Sequence, residues 1–252
     1  MGAVLGWFGR RLARYLAHEV HVHCAAPPTR SDILLATLRP GDVLLVEGQS
    51  RVSTAIKYLT QSTWSHAALF VGDHLSDISS GSGHCFVEAD TVEGVRSIGI
   101  DAFAKFHTRV CRPIGLDDQD CRAVTGYAIS RLGDQYDLRN IIDLARYLLP
   151  TPPVPARFRR RMLSLGSGDP TRAICSTLIA LAFESIRYPI LPSIDIGSTG
   201  RPDCPGCVEE VLRVRHHSLY SPRDFDVSPY FEVVKPSLIA GFDYHELNWV
   251  GD

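Results

Sequence analysis

Residues 64–72 read WSHAALFVG, in which a short polar pair leads into a continuous apolar run. An apolar run of this length, closed by a glycine, predicts a buried β-strand with His66 close to its start. Farther along the chain, residues 173–178 read AICSTL and predict the first turn of an apolar helix that contains Cys175. A thiol and an imidazole are the nucleophile and the base that a cysteine hydrolase requires. His66 and Cys175 are therefore the first candidates for catalytic residues.

The composition is that of a soluble globular protein without a strong net charge. Of the 252 residues, 45% are hydrophobic and 21% are charged, which suits one large or two small domains. The 26 Lys and Arg residues nearly balance the 28 Asp and Glu residues, so a nucleic-acid partner is not expected. Seven cysteines, an odd number at irregular spacing, favour free thiols in a reducing compartment. No apolar run reaches the roughly 18 residues of a membrane-spanning helix.

The domain organisation is indicated by changes in composition along the chain. Residues 1–17 form an amphipathic basic pattern that either contacts an anionic membrane surface or packs on the domain. We expect residues 1–30 to be this helix and a linker. Residues 31–188 are predicted to be the catalytic domain with an insertion around 150–170, and 189–252 a C-terminal elaboration packed on that domain. The predicted location is cytoplasmic, with peripheral membrane contact if the first helix reaches a membrane.

Short strands and helices are predicted between the linker and Cys175. The strands form an antiparallel meander and are expected at residues 43–46, 65–72, 85–90, 94–98 and 108–112. The helices are expected at residues 50–61, 117–132, 139–149 and 157–165. Residues 189–205 are rich in Pro, Gly, Ser and Asp and predict a long irregular loop.

Each candidate residue also has a purely structural interpretation. A cysteine in an apolar helix is usually a small buried hydrophobe, and a single histidine in a strand is usually a core residue. A helix start capped by Asp169 or Thr171 would lower the pKa of the Cys175 thiol. Glu88 lies in the next predicted strand, where a buried acid is costly unless it is paired. If the two strands are neighbours, Glu88 can accept a hydrogen bond from His66 and fix its tautomer, which favours catalysis.

Other clusters give weaker signals. Cys204 and Cys207 have the spacing of redox or metal ligands, but zinc requires four ligands and the nearby histidines lack the usual spacing. The basic residues 157–161 would meet phosphates or form a solvated helix face. No glycine-rich phosphate loop is present, and we predict neither a metal nor a cofactor.

Several motifs together resemble the permuted papain-like amidases related to NlpC, of the YaeF/YiiX type, over about residues 39–186. They are PGDVL at 40–44, TQSTWSHAALFV at 60–71, VEA at 87–89, GV at 94–95, YD at 136–137 and CSTL at 175–178. In papain-like hydrolases the cysteine helix precedes the histidine strand, and here the order is reversed, as in circularly permuted members. The resemblance implies an α+β fold, with a small antiparallel sheet or partial barrel packed against the helix that carries Cys175. It also implies a triad of Cys175 as nucleophile, His66 as base and acid, and Glu88 as the third polar residue.

The resemblance implies a thiol hydrolase that cleaves an amide bond through an acyl-enzyme. Two alternatives remain open. The lecithin:retinol acyltransferase group shares the permuted arrangement, so the chain could be a lipid acyl hydrolase or acyltransferase. It could also be a non-catalytic binding module in which Cys175 and His66 are core residues. The expected partner is accordingly a peptide, amide or acyl-lipid substrate.

Overall fold

The computed structural model describes most of the chain between residues 26 and 239. The described residues are 18, 26–75, 83–90, 93–134, 174–198, 208–213, 215–239, 241, 243 and 245. The helices predicted at 1–17, 139–149 and 157–165 lie outside the described residues, as do Cys204 and Cys207.

An antiparallel sheet of six strands forms the centre of the fold. The strands of the chain are β1 (Val43–Val46), β2 (His66–Phe70), β3 (His84–Asp90), β4 (Gly94–Gly99), β5 (Thr108–Pro113), β6 (Ser193–Ser198), β7 (Val208–Arg213) and β8 (Phe231–Val234). The order in the main sheet is β4-β3-β2-β1-β5-β8, and β6 and β7 form a separate antiparallel hairpin. The fold therefore combines helices with an antiparallel sheet, which agrees with the predicted α+β class.

Helices flank the sheet. They are α1 (Ser31–Thr37), α2 (Arg51–Thr60), α3 (Asp118–Ser130), α4 (Ile174–Glu184), α5 (Pro222–Asp226) and α6 (Pro236–Ile239), with 3₁₀ turns at Gly72–Leu75, Ile100–Phe103 and His217–Leu219. The predictions for α2 and α3 are confirmed to within two residues at each end. Ser50 caps α2 by accepting a hydrogen bond from the Ser53 amide, and Asp117 caps α3 in a capping box. Within the described residues, no helix combines the length and the apolar character needed to cross a membrane.

The pairing of β5 departs from the predicted meander. Strands β1 to β4 do pair in succession, but β5 pairs with β1, aligning Val43 with Cys111. All four residues of β1 are buried, so this strand needs apolar neighbours on both faces and strands along both edges. The return of β5 to the free edge of β1 meets that need.

The sheet separates two apolar cores. On one face, which we call the helix-side core, residues of the strands pack with residues of α3 and α4: Val43, Leu45, Ala67, Leu69 and Val87 with Val124, Ala128, Leu178, Ile179 and Phe183. The alternate strand residues form the opposite core with α1 and a 3₁₀ turn: Leu44, Val46, Ala68, Phe70, Phe86 and Val110 with Leu34 and Phe103. Because both faces are covered, the central strands β1 and β2 read as nearly continuous apolar runs in the sequence.

The prediction of an irregular loop at 189–205 is wrong over β6. Ser193–Ser198 forms a strand that pairs with Val208–Arg213. Ile194 and Ile196 alternate with Asp195, which is a strand pattern, but the surrounding Pro, Gly and Ser residues favour a loop on local grounds. The pairing partner, which lies ten to twenty residues away along the chain, decides the outcome. Helix α1 was likewise not predicted.

Gly48 stands where the chain leaves β1 and packs closely on two serines. Its amide donates to Ser65 Oγ at 3.0 Å, which links the end of β1 to the residue before His66. A Cβ at this position would collide with Ser53 Oγ and would lie 2.8 Å from Ser65 Oγ. A side chain at Gly48 must therefore displace α2 or the segment that leads into β2.

Gly48→Ala is expected to lower the free energy of unfolding by about 1–3 kcal/mol, the usual cost of overpacking. Gly126→Ala, in α3, is the matched control. A Cβ there meets nothing within 4 Å, so the change should be neutral or should stabilise the helix by up to about 1 kcal/mol. Chemical denaturation measures both variants, and equal stabilities would contradict the prediction.

Candidate active site

His66 and Glu88, predicted separately from two segments, are in contact. Glu88 pairs directly with Ala68, and His66 precedes Ala68 by two residues, so both side chains lie on the same face of the sheet. The distance between His66 Nε2 and Glu88 Oε2 is 2.6 Å. The Glu88 side chain is 5% exposed and that of His66 is 26% exposed. The pair is thus shielded on the carboxylate side and open to solvent on the imidazole side.

Glu88 is ionised despite its burial. Burial alone would raise the pKa of its carboxyl, but the charge and hydrogen bond of His66, together with those of Arg96, lower it to about 2. An ionised carboxylate only accepts hydrogen bonds, so the proton of the short contact belongs to His66 Nε2. Proton exchange with a nucleophile would therefore use the other ring nitrogen, Nδ1.

Arg96, which no sequence pattern singled out, also contacts Glu88. It lies directly opposite Glu88 on β4, and its Nε and Nη2 atoms are 2.9 Å and 2.7 Å from Glu88 Oε1. Its Nη1 donates to Glu93 Oε2 at 2.8 Å. The position of Arg96 in the sequence could have indicated this contact. Arg96 follows the strand of a buried acid after a short turn, and a hairpin brings such residues into cross-strand pairs.

Cys175 is the second residue of α4, and this helix packs against β2 and β3, the strands that carry His66 and Glu88. The described side chains of α4 begin at Ser176, which is fully buried. The Cys175 thiol is not among the described side chains, and the predicted caps Asp169 and Thr171 lie outside the described residues.

Three other cysteines have described side chains, and all are free thiols: Cys85, Cys111 and Cys121. Burial raises the pKa of each, and it raises the pKa of Cys111 to about 12. These three thiols therefore resist ionisation near neutral pH. Within the part of the chain that the structure describes, no cluster of three or more His, Cys, Asp and Glu residues is arranged to hold a metal ion.

A polar network surrounds Trp64, two residues before His66. The indole Nε1 donates to Asp226 Oδ2 at 3.1 Å, and the guanidinium of Arg109 lies 4.9 Å from the centre of the indole ring. Arg109 also pairs with Asp226 at 2.5 Å, and the His107 ring packs 5.1 Å from the indole. These side chains line a cavity of about 290 Å³. The network anchors the segment that leads into His66.

Comparison with known proteins supports the resemblance seen in the motifs. Residues 37–147 match the family described as "Permuted papain-like amidase enzyme, YaeF/YiiX, C92 family". The predicted resemblance to this family is therefore confirmed over that region, which includes His66 and Glu88 but not Cys175. The match supports a hydrolase of the papain-like type.

Two individual proteins are also similar to this chain. The protein named "Probable lipoprotein peptidase YaeF" of Escherichia coli (strain K12) is 23% identical over 175 residues, or 63% of this chain and 60% of that protein. The similarity thus spans about three fifths of the relative's length. The crystal structure of the metalloprotein yiiX from Escherichia coli O157:H7 has 16% sequence identity and a TM-score of 0.44, covering 78% of this chain and 96% of that chain.

Glu88→Gln is expected to change how stability depends on pH. Because the pKa of Glu88 is lowered in the folded state, the ionised carboxylate stabilises the fold above the unfolded value near 4.5, and this stability is lost as the pH falls towards 2. A shift of this size corresponds to about 3 kcal/mol. Urea denaturation between pH 7 and pH 2 should show the difference between wild type and variant shrinking over that interval.

The matched control for this titration is Glu93→Gln. Glu93 also bonds to Arg96, but its side chain is 62% exposed, so its removal should have little effect on stability at any pH. A pH-independent difference between wild type and Glu88→Gln would contradict the assignment of Glu88 as an ionised, buried carboxylate.

Proposed function

Since residues 37–147 match the permuted papain-like amidase family, we propose that this chain is a thiol hydrolase that cleaves an amide bond, peptide or isopeptide-like, through an acyl-enzyme. Cys175 is the nucleophile, His66 the general base and acid, and Glu88 the residue that orients His66. The observation that carries the proposal is the 2.6 Å contact between His66 Nε2 and the buried Glu88 carboxylate. A core histidine would be satisfied by a neutral partner, whereas a buried, ionised partner suits an imidazole that gains and loses a proton.

The first half of the reaction forms the acyl-enzyme. His66 Nδ1 takes the proton of the Cys175 thiol, and the thiolate attacks the carbonyl carbon of the amide. The negative charge that develops on the carbonyl oxygen is held by backbone N–H groups at the start of α4, which point out of the helix end. The C–N bond then breaks as the imidazolium gives its proton to the leaving amine, and a thioester remains.

The second half of the reaction releases the acid. His66 accepts a proton from a water molecule, and the resulting hydroxide attacks the thioester carbonyl. The C–S bond then breaks, and the imidazolium gives its proton to the departing thiolate, which restores the thiol and the neutral imidazole. Throughout the cycle, Glu88 stays ionised because its pKa of about 2 lies far below the working range, so it stabilises each imidazolium that forms.

The sheet constrains where the thiol and the imidazole can meet. Helix α4 packs on the helix-side core, whereas His66 and Glu88 alternate to the opposite face of β2 and β3. His66 is the first residue of β2, and Cys175 is one residue from the start of α4. The proposed chemistry therefore requires the Cys175 thiol to approach His66 at the end of the sheet where β2 begins, and the imidazole is 26% exposed there.

Thiol alkylation tests the proposal directly. The rate of iodoacetamide labelling of Cys175 should rise with a midpoint below about pH 7.5, because an imidazolium and a helix start stabilise the thiolate. The thiols of Cys85, Cys111 and Cys121 should react only at alkaline pH, since burial raises the pKa of each. His66→Ala should move the Cys175 midpoint upward by at least about one pH unit. Peptide mapping by mass spectrometry reads every thiol in one experiment.

His84→Ala is the control variant for this measurement. His84 lies on β3, the strand of Glu88, and contacts Ser97 Oγ at 2.9 Å, so its loss tests whether removing any histidine from the sheet alters labelling. The Cys175 midpoint should not change in this variant. If Cys175 titrates like these three thiols, or if His66→Ala leaves its midpoint unchanged, the catalytic proposal is wrong.

The class of substrate is tested by turnover. A panel of peptide amides should be hydrolysed by the wild type and not by Cys175→Ala, whose kcat should fall by at least about 10⁴-fold. Phospholipid vesicles are assayed in parallel. Turnover of lipid without turnover of any amide would reject the amidase and favour the acyl-lipid alternative.

A further inference from the structure

Arg96 and His66 each contact a different oxygen of the Glu88 carboxylate. Arg96 contacts Oε1 through two nitrogens, at 2.9 Å and 2.7 Å, while His66 Nε2 lies 2.6 Å from Oε2. We propose that Arg96 is a positioning residue of the active site, which fixes the Glu88 carboxylate so that its second oxygen faces His66. The inference rests on the proposed function for its catalytic consequence, but the geometry on which it is built is independent of Cys175.

The strand register explains why Arg96 can hold Glu88 in one orientation. The two residues are directly opposite on β3 and β4, and the carboxylate is buried, so the side chain of Glu88 has little freedom to turn. The guanidinium is planar, and its Nη1 atom is held at 2.8 Å by Glu93 Oε2. Glu93, in the turn, thus holds the guanidinium of Arg96, and the guanidinium holds the carboxylate of Glu88.

The charge of Arg96 matters most when His66 is neutral. In the proposed cycle His66 alternates between imidazole and imidazolium, so it compensates the buried carboxylate for only part of the time. A guanidinium does not lose its proton at any working pH. Arg96 therefore compensates Glu88 continuously, and this allows His66 to release its proton without leaving a buried carboxylate unpaired.

The groups that face this cluster from neighbouring elements are few among the described residues. His66 approaches from β2, Asp90 follows Glu88 on β3, and Glu93 lies in the turn before β4. Asp90 Oδ2 is 3.6 Å from Arg96 Nη2, which is a longer contact than either bond to Glu88. Loss of the positive charge of Arg96 would leave Glu88 in contact with the imidazole and would remove the cation that also pairs with Asp90 and Glu93. The imidazole would then hold its proton more strongly.

Titration of His66 by NMR tests the inference without reference to catalysis. In Arg96→Gln the midpoint of the imidazole titration should rise by about one pH unit, the effect expected when a charge several ångströms away is removed from a partly exposed cluster. Glu93→Gln is the control, because it removes the charge of the outer partner of Arg96 but leaves Glu88 paired, and its effect should be less than about half a unit. An unchanged His66 titration in folded Arg96→Gln would overturn the inference.

Kinetic measurements distinguish a positioning role of Arg96 from an effect of its charge alone. Arg96→Lys keeps the charge and loses the two-nitrogen contact, so its His66 titration should shift by less than that of Arg96→Gln, while kcat falls by about tenfold with little change in KM. A lysine variant with wild-type kcat would overturn the positioning role, and this variant also serves if Arg96→Gln fails to fold. If Cys175 proves unreactive but the His66 titration shifts as expected, the proposed function fails and the Arg96 contact stands.

Discussion

An ionised carboxylate inside an apolar sheet is stable only if charged partners reach it, and this constraint shapes the centre of the molecule. Glu88 is flanked on its own strand by Val87 and Ala89, which are fully or almost fully buried. Two cross-strand neighbours supply the charges: His66 from β2 and Arg96 from β4. A slip of one residue between β2 and β3 would place Glu88 and His66 on opposite faces of the sheet, and a slip between β3 and β4 would do the same to Glu88 and Arg96. The contacts of Glu88 therefore favour one register among β2, β3 and β4.

Burial on both faces of the sheet gives the site its rigidity. The strands that carry His66 and Glu88 are covered on one side by α4 and on the other by the packing of Phe70, Phe86 and Phe103. Close-packed interiors resist small displacements, so a hydrogen-bonded pair mounted on such strands keeps its geometry without help from ligands. The Trp64 network adds a second anchor where β2 begins. The imidazole is the part of this arrangement that remains accessible to solvent.

The local elements and the contact between His66 and Glu88 could be predicted from the sequence, because they follow from short-range patterns. Apolar runs predicted strands β2 and β3. A buried, unpaired acid costs free energy, and this cost indicated that Glu88 must have a partner. Pairings between distant segments could not be predicted in the same way. Strand β6 lies in a Pro-rich and Gly-rich context that favours a loop, and the return of β5 to β1 depends on which edge of the sheet is free. Arg96 was missed because an arginine on a strand usually indicates a solvent-facing position.

Strand β8 ties the last part of the chain to the sheet. It pairs with β5 from Val110 to Pro113, and Phe231 packs in the core against Phe183 and Phe225. A shortened chain that ended before Phe231 would leave the backbone donors and acceptors of β5 without their partners along an exposed edge. Such edges recruit strands from other molecules, so the shortened protein would tend to self-associate through β5. This edge of the sheet is thus protected by a strand that follows all three candidate catalytic residues in the sequence.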